Sequence, residues 1–541
     1  MSTLTKKQAD LIITNAAVYT ADTDNPTAEA VAIQGNKIVF VGSAAEALTW
    51  QQSQTRIIDG RGGTLMPGFI DSHFHLMWGS LGLADMQLEG VRSLDELQTA
   101  VAHYKAQNPH LQWLVGRGMR YVVPTADIPL TRHHLDAIEA EMPFIISAYD
   151  YHTIWANTAA LRLANLLQGG EAGPGSEIVM GADGLATGEL REPGAYNPLL
   201  NLRPQPTDEQ RLALLKRGLA WCASLGITSV HNMDGDAEQA ALYAALEDKD
   251  ELTLRVYIPY DVVPDTPKDA LAAEALPMKE AFQSEMVHAG SVKFFMDGIL
   301  ESYTALLVEP YADQPDTLGD SLYAAAHFTE MATEADRLGL QVIVHCCGDG
   351  AVRRTLDGYE AAQQTNGRRD SRHRIEHIEL LHPEDEHRFA ELGVIASMQP
   401  LHAPMMHRDY DVWPGRVGEA RWARSFAWRT LRDTGATMVF GSDWPVVSPS
   451  PFLGLDDALN RRPWGEEGQA HFRQTLEEVI ASYTRDAAYA EFQEDKKGQL
   501  KVGLWADLVL LSEDIFALDP THIATVKPLL TICNGRIVYE A

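Results

Sequence analysis

The fold class predicted by this sequence is α/β: a (β/α)8 barrel of parallel strands, with a small β-sandwich domain formed by both termini. Three observations predict it. Eight short, β-branched apolar runs alternate with helical patterns. Chemistry-bearing side chains stand at the ends of those runs, where active sites of such barrels collect. Both ends of the chain read as strands rather than helices.

Taken in order, ADLIITNAAVYTAD and AVAIQGNKIVFVG open the chain with two apolar runs and a Gly-Asn-Lys turn, a hairpin signal. ADLVLLSED and LLTICNGRIVYEA, with Asn534-Gly535 as the turn, close it. Residues 1–64 and 496–541 are therefore expected to form one discontinuous sandwich, and 65–495 the barrel. The eight barrel runs are expected near 64–76, 226–232, 254–260, 291–298, 340–349, 374–379, 394–400 and 437–445. Helical patterns at 208–226 and 329–339 fall between them. About 150 residues separate the first run from the second, too many for one crossover. The stretch from about 80 to 205 is read as an inserted subdomain over the barrel mouth, because loops after barrel strands carry such insertions.

Composition narrows the function classes. The 541 residues are 45% hydrophobic, enough for a large core, and 44 Lys+Arg against 75 Asp+Glu give a net charge of −31. Such a surface repels phosphate backbones and anionic lipid, so nucleic-acid and membrane partners are not expected. Four cysteines, two of them adjacent (Cys346 and Cys347), argue against a disulfide framework and for a reducing compartment. Cys346 and Cys347 read as small buried hydrophobes rather than thiolate ligands. The N-terminus has no apolar leader core, and no run is long enough to span a bilayer, so a cytoplasmic location is expected. The glycine-rich loop at 169–188 lacks a phosphate-cradling pattern.

His73 and His75 close the first run as His-x-His, and period-two alternation puts both on one face. Lys293 lies in the fourth run, His345 ends the fifth, His377 the sixth and Asp443 the eighth. Singly, each has a structural reading: a core histidine, a salt-bridge lysine, a helix N-cap. All six at successive strand ends of one barrel make a candidate metal site. Asp71 and Glu376, next to these histidines, are candidate partners for the second imidazole nitrogens. Asp349 is expected to cap the following helix.

GFIDSHFHL (68–76), GITSVHNMDG (226–235), SVKFFMDG (291–298), HCCGD (345–349), RIEHIE (374–379) and GSDWPV (441–446), in this order, resemble the amidohydrolase superfamily. Its family-3 branch, which resembles N-substituted formamide deformylases, is the nearer match, and YDYHTIWANTAAL (149–161) and the terminal strands agree.

The resemblance implies a binuclear centre. His73, His75 and Asp443 would hold one divalent ion and His345 with His377 the other. Lys293 would bridge them as a carbamate formed with CO2. Two zinc ions are expected, with iron, manganese or cobalt also suited to imidazole and carboxylate donors. It further implies hydroxide attack on a small-molecule amide, with His345, Lys293 and Asp443 in catalytic roles, Asp443 passing the proton to the leaving nitrogen.

Trp78, Tyr121, His152, Trp155 and Trp444, with Met77, are the candidate substrate contacts. Ester or lactone hydrolysis, deamination and a silent binding barrel are the alternatives. HCCGDGAV lacks the glutamate of the mononuclear deaminases, and no expected ligand is missing. A homodimer is expected.

Overall fold

The computed structural model describes residues 7–125, 127–173, 175–403, 412–461 and 473–541. The first six residues of the segment read as leader-free, and Pro174 of the glycine-rich loop, lie outside the described residues.

Eight parallel strands follow one another around a single sheet: β1 (Phe69–Phe74), β2 (Ile227–Asn232), β3 (Arg255–Asp261), β4 (Val287–Phe295), β5 (Gln341–Cys346), β6 (Arg374–His377), β7 (Ile395–Met398) and β8 (Met438–Phe440). Each run predicted as a barrel strand overlaps one of them, although β4 starts four residues before its run and β3 ends one residue after its own. Nearly every strand residue is buried, as parallel strands covered by helices must be.

The seam between β8 and β1 is closed by the residues that follow β8. The Asp443 N–H donates to the His73 carbonyl at 2.7 Å, and the His75 N–H donates to the Trp444 carbonyl at 2.9 Å. Gly441 makes this approach possible, since a Cβ there would stand 2.4 Å from the His73 nitrogen. β8 is consequently short, and Asp443 leaves the strand with φ 61°.

The helix expected over 208–226 runs Asp208–Ser224 and starts at a Thr207/Gln210 capping box. The one expected over 329–339 runs Ala325–Arg337. Asp349 is the first residue of Asp349–Asn366 rather than its cap. Gly348 holds the cap position, and the Asp349 carboxylate accepts the Val308 N–H at 2.9 Å.

Both termini contribute to two further sheets. Leu11–Thr14, Ala30–Gln34, Lys37–Gly42 and Arg56–Asp59 form one. The other joins Ala17–Tyr19, Thr27–Ala28 and Thr64–Pro67 to Leu508–Leu511, Pro528–Cys533 and Arg536–Glu540. Leu508–Leu511 pairs antiparallel with Thr64–Pro67 immediately before β1, tying the chain's two ends together. Ile13, Val31, Leu65, Leu508 and Ile532 share the apolar core of these sheets. At the last hairpin, Asn534 and Gly535 take φ 52° and 72°, the left-handed pair a tight two-residue turn needs.

Between β1 and the Asp208–Ser224 helix lies a mixed six-stranded sheet, from Met86–Gln87 to Ala186–Arg191. Separate apolar clusters cover it, one of them including the helix Leu94–Gln107. Its loop around Tyr149–His152 and the start of the helix Glu192–Leu200 line a cavity over the C-terminal ends of the barrel strands. Among the described residues, no helix is long and apolar enough to cross a membrane.

Candidate metal centre and substrate cavity

The cavity encloses about 540 Å³. His73, His75, His345, His377 and Asp443 all reach its floor, and all are buried. Two of the five sit on strained backbone: His377 has φ 70° and Asp443 φ 61°. Non-glycine residues held there cost roughly 1–3 kcal/mol each, a cost concentrated at functional sites.

The hydrogen bonds decide which imidazole nitrogens are available. His73 Nδ1 donates to Glu376 Oε2 at 2.6 Å, and His75 Nδ1 donates to Asp234 Oδ1 at 2.8 Å. Both rings thereby turn Nε2 toward Asp443 Oδ1, at 3.4 Å and 3.2 Å. Those separations match the edge of a tetrahedron with metal–ligand bonds of about 2.0–2.1 Å, roughly 3.3 Å. Burial, aided by Lys293 and neighbouring cations, drives the His73 pKa well below its ordinary value against the pull of Asp443. The neutral ring then presents a lone pair to a carboxylate, which is repulsive unless a cation stands between them. Burial also disfavours the charged form of His75, but Asp234 and Asp443 outweigh it and raise it to about 9. Burial opposes ionisation of Asp443 as well, yet His73, His75 and His402 hold its pKa at about 2. A divalent ion fits this donor set: it would stand between the His73 lone pair and Asp443 and displace the proton His75 shares with that carboxylate.

His345 and His377 extend the set. His345 donates from Nε2 to the Gly298 carbonyl at 3.1 Å, which leaves Nδ1 as its lone-pair atom. Burial and nearby cations push it far below its ordinary pKa. The His377 ring lies 4.4 Å from that of His345 and 4.7 Å from that of His73, and its buried Nδ1 has no hydrogen-bond partner among the described residues. His73, His377 and Asp443 place one donor atom each within 4.8 Å of one another.

Lys293, inward-facing on β4, is 1% exposed, and its Nζ has no hydrogen-bond partner among the described residues and lies 3.7 Å over the Phe295 ring. Burial lowers its pKa more than Glu376, Asp261 and Asp443 raise it.

The candidate substrate contacts divide. Trp78 and His152 line the cavity, Trp78 edge-on to His75 with ring centroids 5.2 Å apart. His152 donates from Nδ1 to Glu192 at 2.8 Å, and its ring lies 5.8 Å from that of His345. Tyr121, Trp155, Trp444 and Met77 do not line it. Tyr121 donates to Thr153 Oγ1 at 2.8 Å inside the inserted subdomain. Trp155, on the strand Thr153–Ala156, alternates into that subdomain's core. Trp444 packs on Phe74 and over Gly79, where a Cβ would come within 2.4 Å of its ring. Met77 joins the barrel core. Asp71 is not an imidazole partner; its carboxylate accepts the backbone N–H groups of His73 and Ser442 at 3.1 and 2.9 Å.

Sequence reasoning missed His402 and Asp234. His402 follows β7 in a short turn, stacks on His377 at 5.8 Å and stands 3.8 Å from Asp443 Oδ2. Its signal was the histidine after the run VIASMQP; that of Asp234 lay in HNMDG, after β2.

Residues 56–539 match the family model described as the amidohydrolase family. The chain belongs to that family. Among the amidohydrolase's relatives, LONG AFTER FAR-RED 3 of Arabidopsis thaliana is 30% identical over 98% of this chain and 92% of its own. N-substituted formamide deformylase of Arthrobacter pascens is 26% identical over 98% of both chains. The crystal structure of an uncharacterized metal-dependent hydrolase from Pyrococcus horikoshii superposes with a TM-score of 0.74 at 26% identity, covering 95% of this chain and 99% of that one.

Proposed function

We propose that this amidohydrolase is a metal-dependent hydrolase that cleaves the C–N bond of a small N-substituted amide, with N-substituted formamides the first class to test. One observation carries the reading: neutral His73 and carboxylate-bound His75 both turn Nε2 onto the ionised Asp443, at metal-ligand spacing, on the floor of an enclosed cavity. The relative that deformylates N-substituted formamides supports the substrate class.

His73, His75 and Asp443 would hold one ion, and His345 and His377 a second. Lys293 would bridge them as a carbamate, its amine, once deprotonated, adding to CO2 with formation of an N–C bond and release of one proton. Bound zinc or a similar ion would polarise the amide carbonyl and lower the pKa of the attacking water.

The chain's own groups supply the rest. Asp443 Oδ1 faces the ligand imidazoles, leaving Oδ2 to accept the proton of the attacking water and return it to the departing nitrogen. That return is required because an amide anion is a poor leaving group. His152 is a cation in the working range: burial lowers its pKa, but Glu192 and Asp150 outweigh this and raise it to about 9. It can stabilise the oxyanion that develops at the carbonyl. Trp78 offers an apolar face to the substituent on nitrogen.

Formate release from a panel of aryl and alkyl N-substituted formamides, run beside matched esters, tests the reading. Metal-dependent amide turnover abolished by Asp443→Asn supports it. Turnover of esters alone, indifferent to Asp443→Asn, overturns it.

A further inference from the structure

The barrel interior below the candidate metal centre is filled with charge. Directly under His73, Arg374 grips the carboxylate that holds the ring, with Nε 2.9 Å from Glu376 Oε1 and an Nη 3.3 Å from Oε2. The same guanidinium donates to the Ser72 carbonyl at 2.5 Å and to Ser397 Oγ at 2.9 Å, and so spans β6, β1 and β7. Its remaining nitrogen donates to His231 Nδ1 on β2 at 2.8 Å. Since a guanidinium only donates, His231 Nδ1 must be the acceptor, and the proton of the neutral ring sits on Nε2. That atom lies 3.2 Å from Glu491 Oε1. Lys497 Nζ is 2.6 Å from the same oxygen, and His288 Nε2 is 3.1 Å from the other. Arg374, His231, Glu376, Glu491 and Lys497 are each no more than 1% exposed.

Two features of this column go beyond packing. Arg374 fixes the His231 tautomer by donating to Nδ1, which turns the Nε2 proton toward the Glu491 carboxylate, and the same guanidinium holds Glu376 against His73 Nδ1. And the lower end does not belong to the barrel strands. Glu491 and Lys497 follow the helix Arg485–Ala490, on the segment that leaves the barrel for the terminal sheets. The signs alternate along it: Lys497 positive, Glu491 negative, Arg374 positive, Glu376 negative.

We infer that Arg374 and Glu491 are positioning residues for the metal centre: the column they anchor orients His73, so metal affinity at the barrel mouth depends on a carboxylate delivered to its base by the C-terminal segment. This rests on the metal reading above.

The test measures zinc and manganese affinity by chelator competition, together with the metal-induced rise in Tm, on the full chain. The variants are Glu491→Gln, Glu491→Gln/Lys497→Met and Arg374→Lys, each alone and combined with Glu376→Gln. Removing both Glu491 and Lys497 charges guards against misfolding from a stranded buried lysine. The expected result is metal binding about tenfold weaker or more, the size of effect seen when an outer partner of a ligand histidine is lost. The losses should also fail to add to that of Glu376→Gln, because all act through the same ring. A Tm lowered equally with and without metal, at unchanged affinity, would make the column a structural plug and overturn the inference. A wild-type chain that takes up no metal would instead overturn the metal reading itself.

Discussion

The two ends of the barrel each bury histidines beside a carboxylate, yet they are built in opposite ways. At the base, Glu491 is buried and matched within 3.2 Å by Lys497, His231 and His288. At the mouth, three imidazoles lie within 4.7 Å of their nearest ring neighbour, Lys293 Nζ has no hydrogen-bond partner among the described residues, and the cavity reaches the floor. The base balances its own charge. The mouth leaves the His73 lone pair facing the Asp443 carboxylate, a contact that a cation between them would relieve. A histidine cluster is therefore read by what its second nitrogens do, not by its composition.

The largest expected effect breaks the mouth. Asp443→Asn should lower kcat by about 10²–10⁴-fold, the range for a lost general base, with the folded state retained in circular dichroism. Equal kcat would remove the proton role. At the base, Glu491→Gln should destabilise the chain by roughly 3–5 kcal/mol, because it strands a buried lysine. Glu491→Gln/Lys497→Met should recover most of that in denaturant melts; no recovery would show that the charges there are not a matched pair. Glu376→Gln should weaken metal binding about 10–100-fold by loosening His73. Unchanged affinity would separate Glu376 from the centre.

The smallest effect is in pH. The His152 pKa is raised in the folded chain, to about 9, so the stabilisation from its pairing with Glu192 is complete below its unfolded value near 6.5. It is lost as pH rises through 9. In metal-stripped protein, the Tm gap between wild type and Glu192→Gln should be widest near pH 6 and shrink above pH 9. A gap that widens with pH would contradict the pairing.

Much of this site was legible because strand alternation is a local rule. His73 and His75, two residues apart, had to share a face, and Lys293, His345 and His377 each fell on a strand whose end the apolar run marked. What was not legible lies off the strands. Trp155 and Tyr121 are in the insertion, where the sheet that buries them is assembled from six separated segments. Trp444 looked like a cavity residue because it follows Asp443, but the left-handed turn at Asp443 throws it onto Phe74. His402 and Asp234 sit in turns after β7 and β2, where no periodicity assigns a direction. The pairing of Glu491 with His231 joins residues 260 positions apart and leaves no local trace.

The most direct test of the central claim is the divalent-metal content of the purified chain by elemental analysis, without chelator or nickel affinity steps. Two ions per chain are expected in the wild type, with a marked loss in Lys293→Ala. No metal, and no uptake when zinc or manganese is added with bicarbonate, would contradict it.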